Sequence, residues 1–233
     1  MILLIDIDGV SVRWCQVDSG DSGMSSDIGT ATLEEWPHAL SLYTPTRVVA
    51  CATRDAPLHD LLAFCRTRWQ LDVYCPTVPM SQMSLTRWAA LVGAREVALG
   101  GHVVIHADRT TVVDGIDGHG QPHVLGALPG MASMQEALYT QTQGIQRAAH
   151  PVVPAAGDFF AINTAENVQA GVRVMSATWV DAVVRQFEVT LGASVTVWLT
   201  GPCATEFPSL VHPVIGSSDL VLRGLQRLAK DPS

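Results

Sequence analysis

The stretch Met1-Ile2-Leu3-Leu4-Ile5-Asp6-Ile7-Asp8-Gly9-Val10-Ser11-Val12-Arg13-Trp14-Cys15 decides the fold. Its first half is apolar and β-branched, which suits a buried strand. Asp8-Gly9 supplies a tight turn, after which Val10, Val12 and Trp14 alternate with Ser11, Arg13 and Cys15. That period of two marks a hairpin partner. The theme returns about a hundred residues later: residues 103–108 read as a strand, Arg109-Thr110-Thr111 as a turn, and Val112-Val113-Asp114 as the second strand.

Each hairpin leads into a third strand and a helix. In the first copy these are residues 27–31 and 33–43, with Pro37 near the first helical turn. In the second they are Val124-Leu125 and a helix that begins near Met131. The Gly/Ser-rich residues 19–26 read as a loose loop.

The remainder of each half alternates strands and helices. Residues 47–52 form a strand; Leu58, Leu61, Leu62, Cys65 and Trp69 lie at helical spacing; residues 71–74 form a short strand; and Leu85, Trp88, Ala89 and Val92 mark another helix. In the second half, residues 163–170 open a helical region. Val180, Val183, Val184, Phe187 and Leu191 form the stripe of a long helix, and residues 195–199 form a strand that ends in Thr200-Gly201-Pro202. Residues 212–215 read as a short strand, and Ser218 or Asp219 caps a last helix with Val221, Leu222, Leu225 and Leu228 on one face. Two such β-β-β-α-β-α units predict two α/β lobes with a central cleft, each turning its first hairpin toward that cleft. Tight turns aim backbone N–H groups at one point and so cradle phosphate, and carboxylates beside them hold a metal through the phosphates.

Composition narrows the function classes. The chain has 233 residues, 48% hydrophobic and 15% charged, enough apolar material for a sizeable core and too little polarity for disorder. A net charge of −8 without a long single-sign run excludes non-specific nucleic-acid binding. The five cysteines form no CxxC pair and read as small buried residues in a reducing compartment. With no signal h-region and no membrane span in the sequence, the expected location is cytoplasmic, with no membrane partner.

The motifs resemble those of the type III pantothenate kinases, also called the Bvg accessory factor family. The family's D-x-G-N-T-x-x-K is similar to Asp6-Ile7-Asp8-Gly9-Val10-Ser11-Val12-Arg13, and its L-G-x-D-R-W to Met83-Ser84-Leu85-Thr86-Arg87-Trp88. Its second turn, D-A-G-T-A-x-T-x-D, resembles residues 106–114. Further likenesses lie at residues 124–130 with Ala137-Leu138, at Ala161-Ile162-Asn163-Thr164 with Gly171, at Thr200-Gly201-Pro202, and at residues 219–225 against D-L-V-L-x-G-L.

The resemblance implies a duplicated actin-like ATPase fold of the acetate and sugar kinase/Hsp70/actin superfamily, ribonuclease H-like in each lobe. The lobes are expected at residues 1–101 and 102–233. It implies ATP, Mg²⁺ and a monovalent cation as cofactors, pantothenate as substrate in coenzyme A biosynthesis, and a homodimer with the second lobe at the interface. It implies catalytic carboxylates at Asp6, which would also hold the metal, and at the positions of Thr86 and His106, where this chain carries none. Phosphate contacts fall on Asp8, Gly9, Arg13, Asp108, Arg109 and Thr110, and substrate contacts on Arg87 and Thr164.

The departures point to lost chemistry. Thr86 cannot act as a carboxylate base, and His106 accepts a proton but cannot replace a negative charge. Asp8 brings negative charge to a polyphosphate site, and Asp108 removes a glycine that lets backbone approach phosphate closely. Losing a general base costs about 10²–10⁴ in rate. The expectation is a catalytically impaired homologue that binds or regulates, sensing a nucleotide or a pantothenate-like ligand. Two readings stay open: an active kinase with a shifted Mg²⁺ site at Asp6, Asp8 and Asp108 and His106 as base, or a structural partner that heterodimerises with a true kinase. Arg87 contacts an acidic ligand or forms a structural ion pair. His119 and His123 ligate a metal or sit at an exposed hairpin tip, and Trp36, Trp69, Trp88 and Trp198 read as core.

Overall fold

The computed structural model describes residues 1–18, 27–142 and 164–230. The predicted loop at 19–26 and the segment 161–163 lie outside the described residues. The chain divides into two compact units, residues 1–99 with 219–233, and residues 100–218. Residues 219–233 thus group with the first unit, not with the C-terminal lobe in which sequence order placed them.

In the first unit the strands are β1 (Ile2–Ile7), β2 (Ser11–Val17), β3 (Gly29–Thr32), β4 (Arg47–Ala52) and β5 (Val73–Tyr74), in the order β3-β2-β1-β4-β5. β1 pairs antiparallel with β2, placing Asp6 opposite Arg13, and parallel with β4, placing Asp6 opposite Cys51. Because side chains alternate along a strand, Leu3, Ile5 and Ile7 enter one core with Val48, Ala50, Trp36 and Leu61. Asp6 lies on the opposite face with Leu4. That core is covered by α1 (Trp36–Leu40) and α2 (Asp55–Trp69). The helix predicted over residues 33–43 shortens to α1 because residues 33–35 form a turn before it.

Across the sheet, α3 (Leu85–Val97) packs on the C-terminal helix of the chain, residues 220–230, which also touches β1 and β4. Two glycines permit that approach. A Cβ on Gly93 would lie 2.0 Å from the Leu220 carbonyl oxygen, and one on Gly224 would lie 1.8 Å from that of Ala89.

The second unit repeats the topology with β6 (Gly101–Ala107), β7 (Thr110–Ile116), β8 (Pro122–Pro129), β9 (Val195–Thr200) and β10 (Val214–Gly216), ordered β10-β9-β6-β7-β8. The central strand, the antiparallel pair on one side and the parallel pair on the other all correspond to the first sheet, so the predicted duplication is present. The short strand predicted at 212–215 starts two residues later because Pro213 cannot donate to a ladder. The third strand extends well beyond Val124-Leu125, and the turn predicted at residues 109–111 contracts to Asp108 and Arg109, since Thr110 and Thr111 already pair with β8 and β6.

α4 (Met131–Gln141) and the long α5 (Thr164–Leu191) accompany this sheet, and Val180, Val184 and Phe187 of α5 pack on Val103, Ile105 and Val197. The C-terminal helix of the first unit is α6 (Leu220–Lys230).

Of the four tryptophans read as core, Trp36 and Trp198 are buried, while Trp69 and Trp88 are only half-buried. The five cysteines are free: Cys15, Cys51 and Cys65 are buried as expected, whereas Cys75 is exposed and Cys203 half-buried. Among the described residues, no helix is long and apolar enough to cross a membrane.

Candidate functional site

Asp6 is fully buried near the end of β1. The Arg13 guanidinium donates to its Oδ2, and both partners are shielded, with side-chain exposures of 15% for Arg13 and 0% for Asp6. The Cys51 thiol donates to Oδ1 at 3.4 Å. Burial first, and then the Asp6 carboxylate, push the Cys51 thiol well above its ordinary range, so it stays protonated as a donor. Thr86, on the first turn of α3, is 1% exposed and lies beside Cys51. Asp6, Arg13, Cys51 and Thr86 therefore form one closed cluster in the first unit. The Cys51 role was open to sequence reasoning through strand pairing, because parallel register sets it opposite Asp6.

The neighbouring turn is organised by a side chain. Asp8 Oδ1 accepts hydrogen bonds from the backbone N–H of Val10 at 2.8 Å and of Ser11 at 2.6 Å. Its Oδ2 accepts from the Ser11 hydroxyl at 2.9 Å, and Asp8 itself is 5% exposed. Gly9 does not adopt a left-handed backbone, so it is the Asp8 carboxylate that holds the turn.

Arg87 follows Thr86 on α3, where Ser84 caps the helix by accepting from the Arg87 N–H at 3.4 Å. The Arg87 guanidinium donates to the Gln82 carbonyl at 3.0 Å, which ties it to the preceding loop.

In the second unit, His106 holds in β6 the place that Asp6 holds in β1, one residue before the strand end, and pairs across with Val112 and Thr200. Asp108 is half-exposed, and Arg109 and Thr110 are exposed at the turn. The backbone beneath that turn is tightly packed. The Gly130 N–H donates to the Arg109 carbonyl at 2.7 Å, and the Ser133 hydroxyl donates to the same oxygen at 3.1 Å. Gly201, with φ +102°, lies so close that a Cβ would be 2.4 Å from the Ala107 carbonyl oxygen. Gly130 and Gly201 thus serve close packing under the second hairpin. Thr164 is exposed at the start of α5.

A further group was missed in the sequence. Asp181 on α5 accepts from the N–H groups of Val211 and His212 at 2.9 and 3.1 Å, and its Oδ1 lies 2.6 Å from His212 Nδ1. His212 Nε2 faces Glu188 at 3.5 Å. This network fastens the loop before β10 to α5, and only its i, i+7 spacing along the helix hinted at it. His123 contacts Asp117 at 3.5 Å, and the Asp117 carboxylate caps the hairpin through the N–H groups of His119 and Gln121. The His119 and His123 segment is therefore a structured hairpin tip.

The donor set around Asp6 does not suit Mg²⁺. That ion needs octahedral oxygen ligands, whereas the Asp6 oxygens meet a guanidinium and a thiol. Asp8, invoked for a shifted site, has both oxygens occupied by its own turn.

The architecture is that of the actin-like ATPase fold. An ROK hexokinase from Thermus thermophilus is similar over 99% of both chains, at TM-score 0.56 and 11% identity. A protein described as a Baf family transcriptional activator from Campylobacter jejuni is similar over 98% of this chain and 97% of its own, at TM-score 0.59 and 15% identity. At such identities these likenesses establish the fold alone. A family model for type III pantothenate kinase matches residues 5–186, so the chain belongs to the type III pantothenate kinase family. Similar relatives named type III pantothenate kinase include those of Azoarcus sp. (strain BH72), 28% identical over 98% of this chain and 90% of the relative. That of Leptothrix cholodnii is 30% identical over 98% and 96%.

Proposed function

We propose that this protein is a catalytically impaired member of its family that binds or senses a pantothenate-like molecule or a nucleotide. One observation carries the reading: the Asp6 carboxylate, the only one of the three expected catalytic carboxylates in this chain, is fully buried and engaged at both oxygens by Arg13 and Cys51. A carboxylate so engaged is not presented to a metal or a phosphate. Thr86 beside it has no proton-accepting charge at neutral pH, and His106 stands at the matching place in the second unit. The loss of charge at two positions and the enclosure of the third all act in the same direction.

The second reading is an active kinase that transfers the ATP γ-phosphate to pantothenate, with Mg²⁺ and a monovalent cation. It is favoured by the near full-length likeness to relatives that carry that name. In that case Arg13 must leave Asp6 when ligands bind. The site assignments stay with the expected residues: Asp6, Thr86 and His106 at the reacting groups; Asp8, Gly9, Arg13, Asp108, Arg109 and Thr110 near phosphate; Arg87 and Thr164 near substrate. Homodimerisation is carried over from the family, supported by the exposed apolar Val174 and Met175 on α5. Mass measured in solution tests it.

Calorimetric titration with pantothenate, and separately with ATP, tests the binding reading when run beside a turnover assay. Affinity for either ligand without product supports a sensor. Product formation supports the kinase. Absence of both contradicts a ligand-binding role and favours a heteromeric partner.

A further inference from the structure

We infer that the Asp8 carboxylate is a resident anion of the first hairpin turn and excludes phosphate groups from it, which makes Asp8 a specificity-determining residue. The inference rests on the reading above that this turn corresponds to a phosphate-binding turn of the family. Two successive backbone N–H groups, those of Val10 and Ser11, converge on Asp8 Oδ1 at 2.8 and 2.6 Å. Convergent backbone donors of this kind form a concavity suited to an anion. Here the anion belongs to the chain itself, and the Ser11 hydroxyl secures its second oxygen at 2.9 Å.

The donors are saturated. Each N–H carries one proton, and a phosphate oxygen would require the same protons that Asp8 holds. Asp8 is 5% exposed, so it is a bound internal ligand of the turn and not a solvated side chain near it. Displacing it would leave a poorly solvated carboxylate beside an incoming polyanion, which adds repulsion to the loss of its hydrogen bonds. The cation of this hairpin, Arg13, is directed to Asp6. The turn as built rejects phosphates and leaves this unit to ligand groups that are neutral or make no demand on these donors.

The test is a titration of the full chain with inorganic tripolyphosphate, followed through the backbone amide resonances of Val10 and Ser11. Wild type is compared with D8G and D8A, which remove the resident acceptor, and with D8N, which keeps an acceptor oxygen without the charge. Amide spectra that match wild type outside the turn establish that each variant is folded, and D8A carries the comparison if D8G does not fold. The variants lacking the acceptor bind tripolyphosphate at least about tenfold tighter than wild type, with Val10 and Ser11 shifting, and D8N falls between. Equal affinity across wild type and variants overturns the inference, as does tightening that leaves the Val10 and Ser11 amides unmoved. Pantothenate turnover does not enter this titration, so a failed exclusion and a failed reading of impaired catalysis give different signals.

Discussion

Replacing Arg13 by Met tests the enclosed cluster of the first unit most severely. The change removes the guanidinium but keeps an unbranched side chain on β2, so the hairpin pattern is preserved. Asp6 is fully buried, and its remaining partner is a thiol at 3.4 Å, a weak donor. Removing one partner of a buried ion pair costs about 3–5 kcal/mol because the other charge is stranded. At about 2–4 °C per kcal/mol for a chain of this size, the melting temperature falls by about 6–20 °C. Thermal denaturation followed by circular dichroism reads this. The double variant D6L/R13M removes both charges and recovers most of the loss, so the cycle shows a coupling of at least about 2 kcal/mol. A loss below about 1 kcal/mol in R13M, the range of an exposed pair, would refute the argument that this ion pair is closed to solvent.

Three further outcomes follow from the packing. Gly224→Ala drives a methyl into the Ala89 carbonyl, so it costs about 1–3 kcal/mol or more, and chemical denaturation should register the loss. Burial alone would raise the Asp181 carboxyl, but the Val211 and His212 N–H groups and the imidazole outweigh it and hold it below its usual range. A depressed carboxylate contributes stability that is complete above its unfolded pKa, about 3.9, and is lost as pH falls through the lower folded value. Asp181→Asn is therefore less stable at pH 7 by about 1–2 kcal/mol and loses less on acidification, and melting curves between pH 3 and 7 should show the two profiles converging. Native thiol labelling should modify Cys75 first, with Cys15, Cys51 and Cys65 protected until unfolding, because the reactive thiolate requires access.

Much of this fold is written in short-range pattern. The apolar run of β1, the period-two β2 and their recurrence at β6 and β7 predict two equivalent sheets, and both have the same strand order. Such signals are local, set by alternation of side chains along one strand. The return of α6 to the first unit was not legible, because it depends on Gly93 and Gly224 allowing two distant helices to meet. The positions of the candidate residues were readable from motifs, but their partners were not. Whether Arg13 faces phosphate or Asp6 depends on register and on which face of β1 each side chain takes. Asp8 carried a charge that the sequence marked as repulsive, while its capture by the turn's own N–H groups required coordinates. The Asp181–His212 network was not legible for a similar reason, since His212, read as the start of a strand, lies in the loop before β10 and meets Asp181 only across the fold.

Loss of phosphotransfer is read out by the formation of phosphorylated pantothenate. Wild type and D6N, each at high concentration with MgATP, potassium and pantothenate, should be followed by mass detection of the product. Wild type should form no product above that from D6N. Product formed by wild type and abolished in D6N would contradict it, and would mean that Asp6 leaves Arg13 to take part in catalysis.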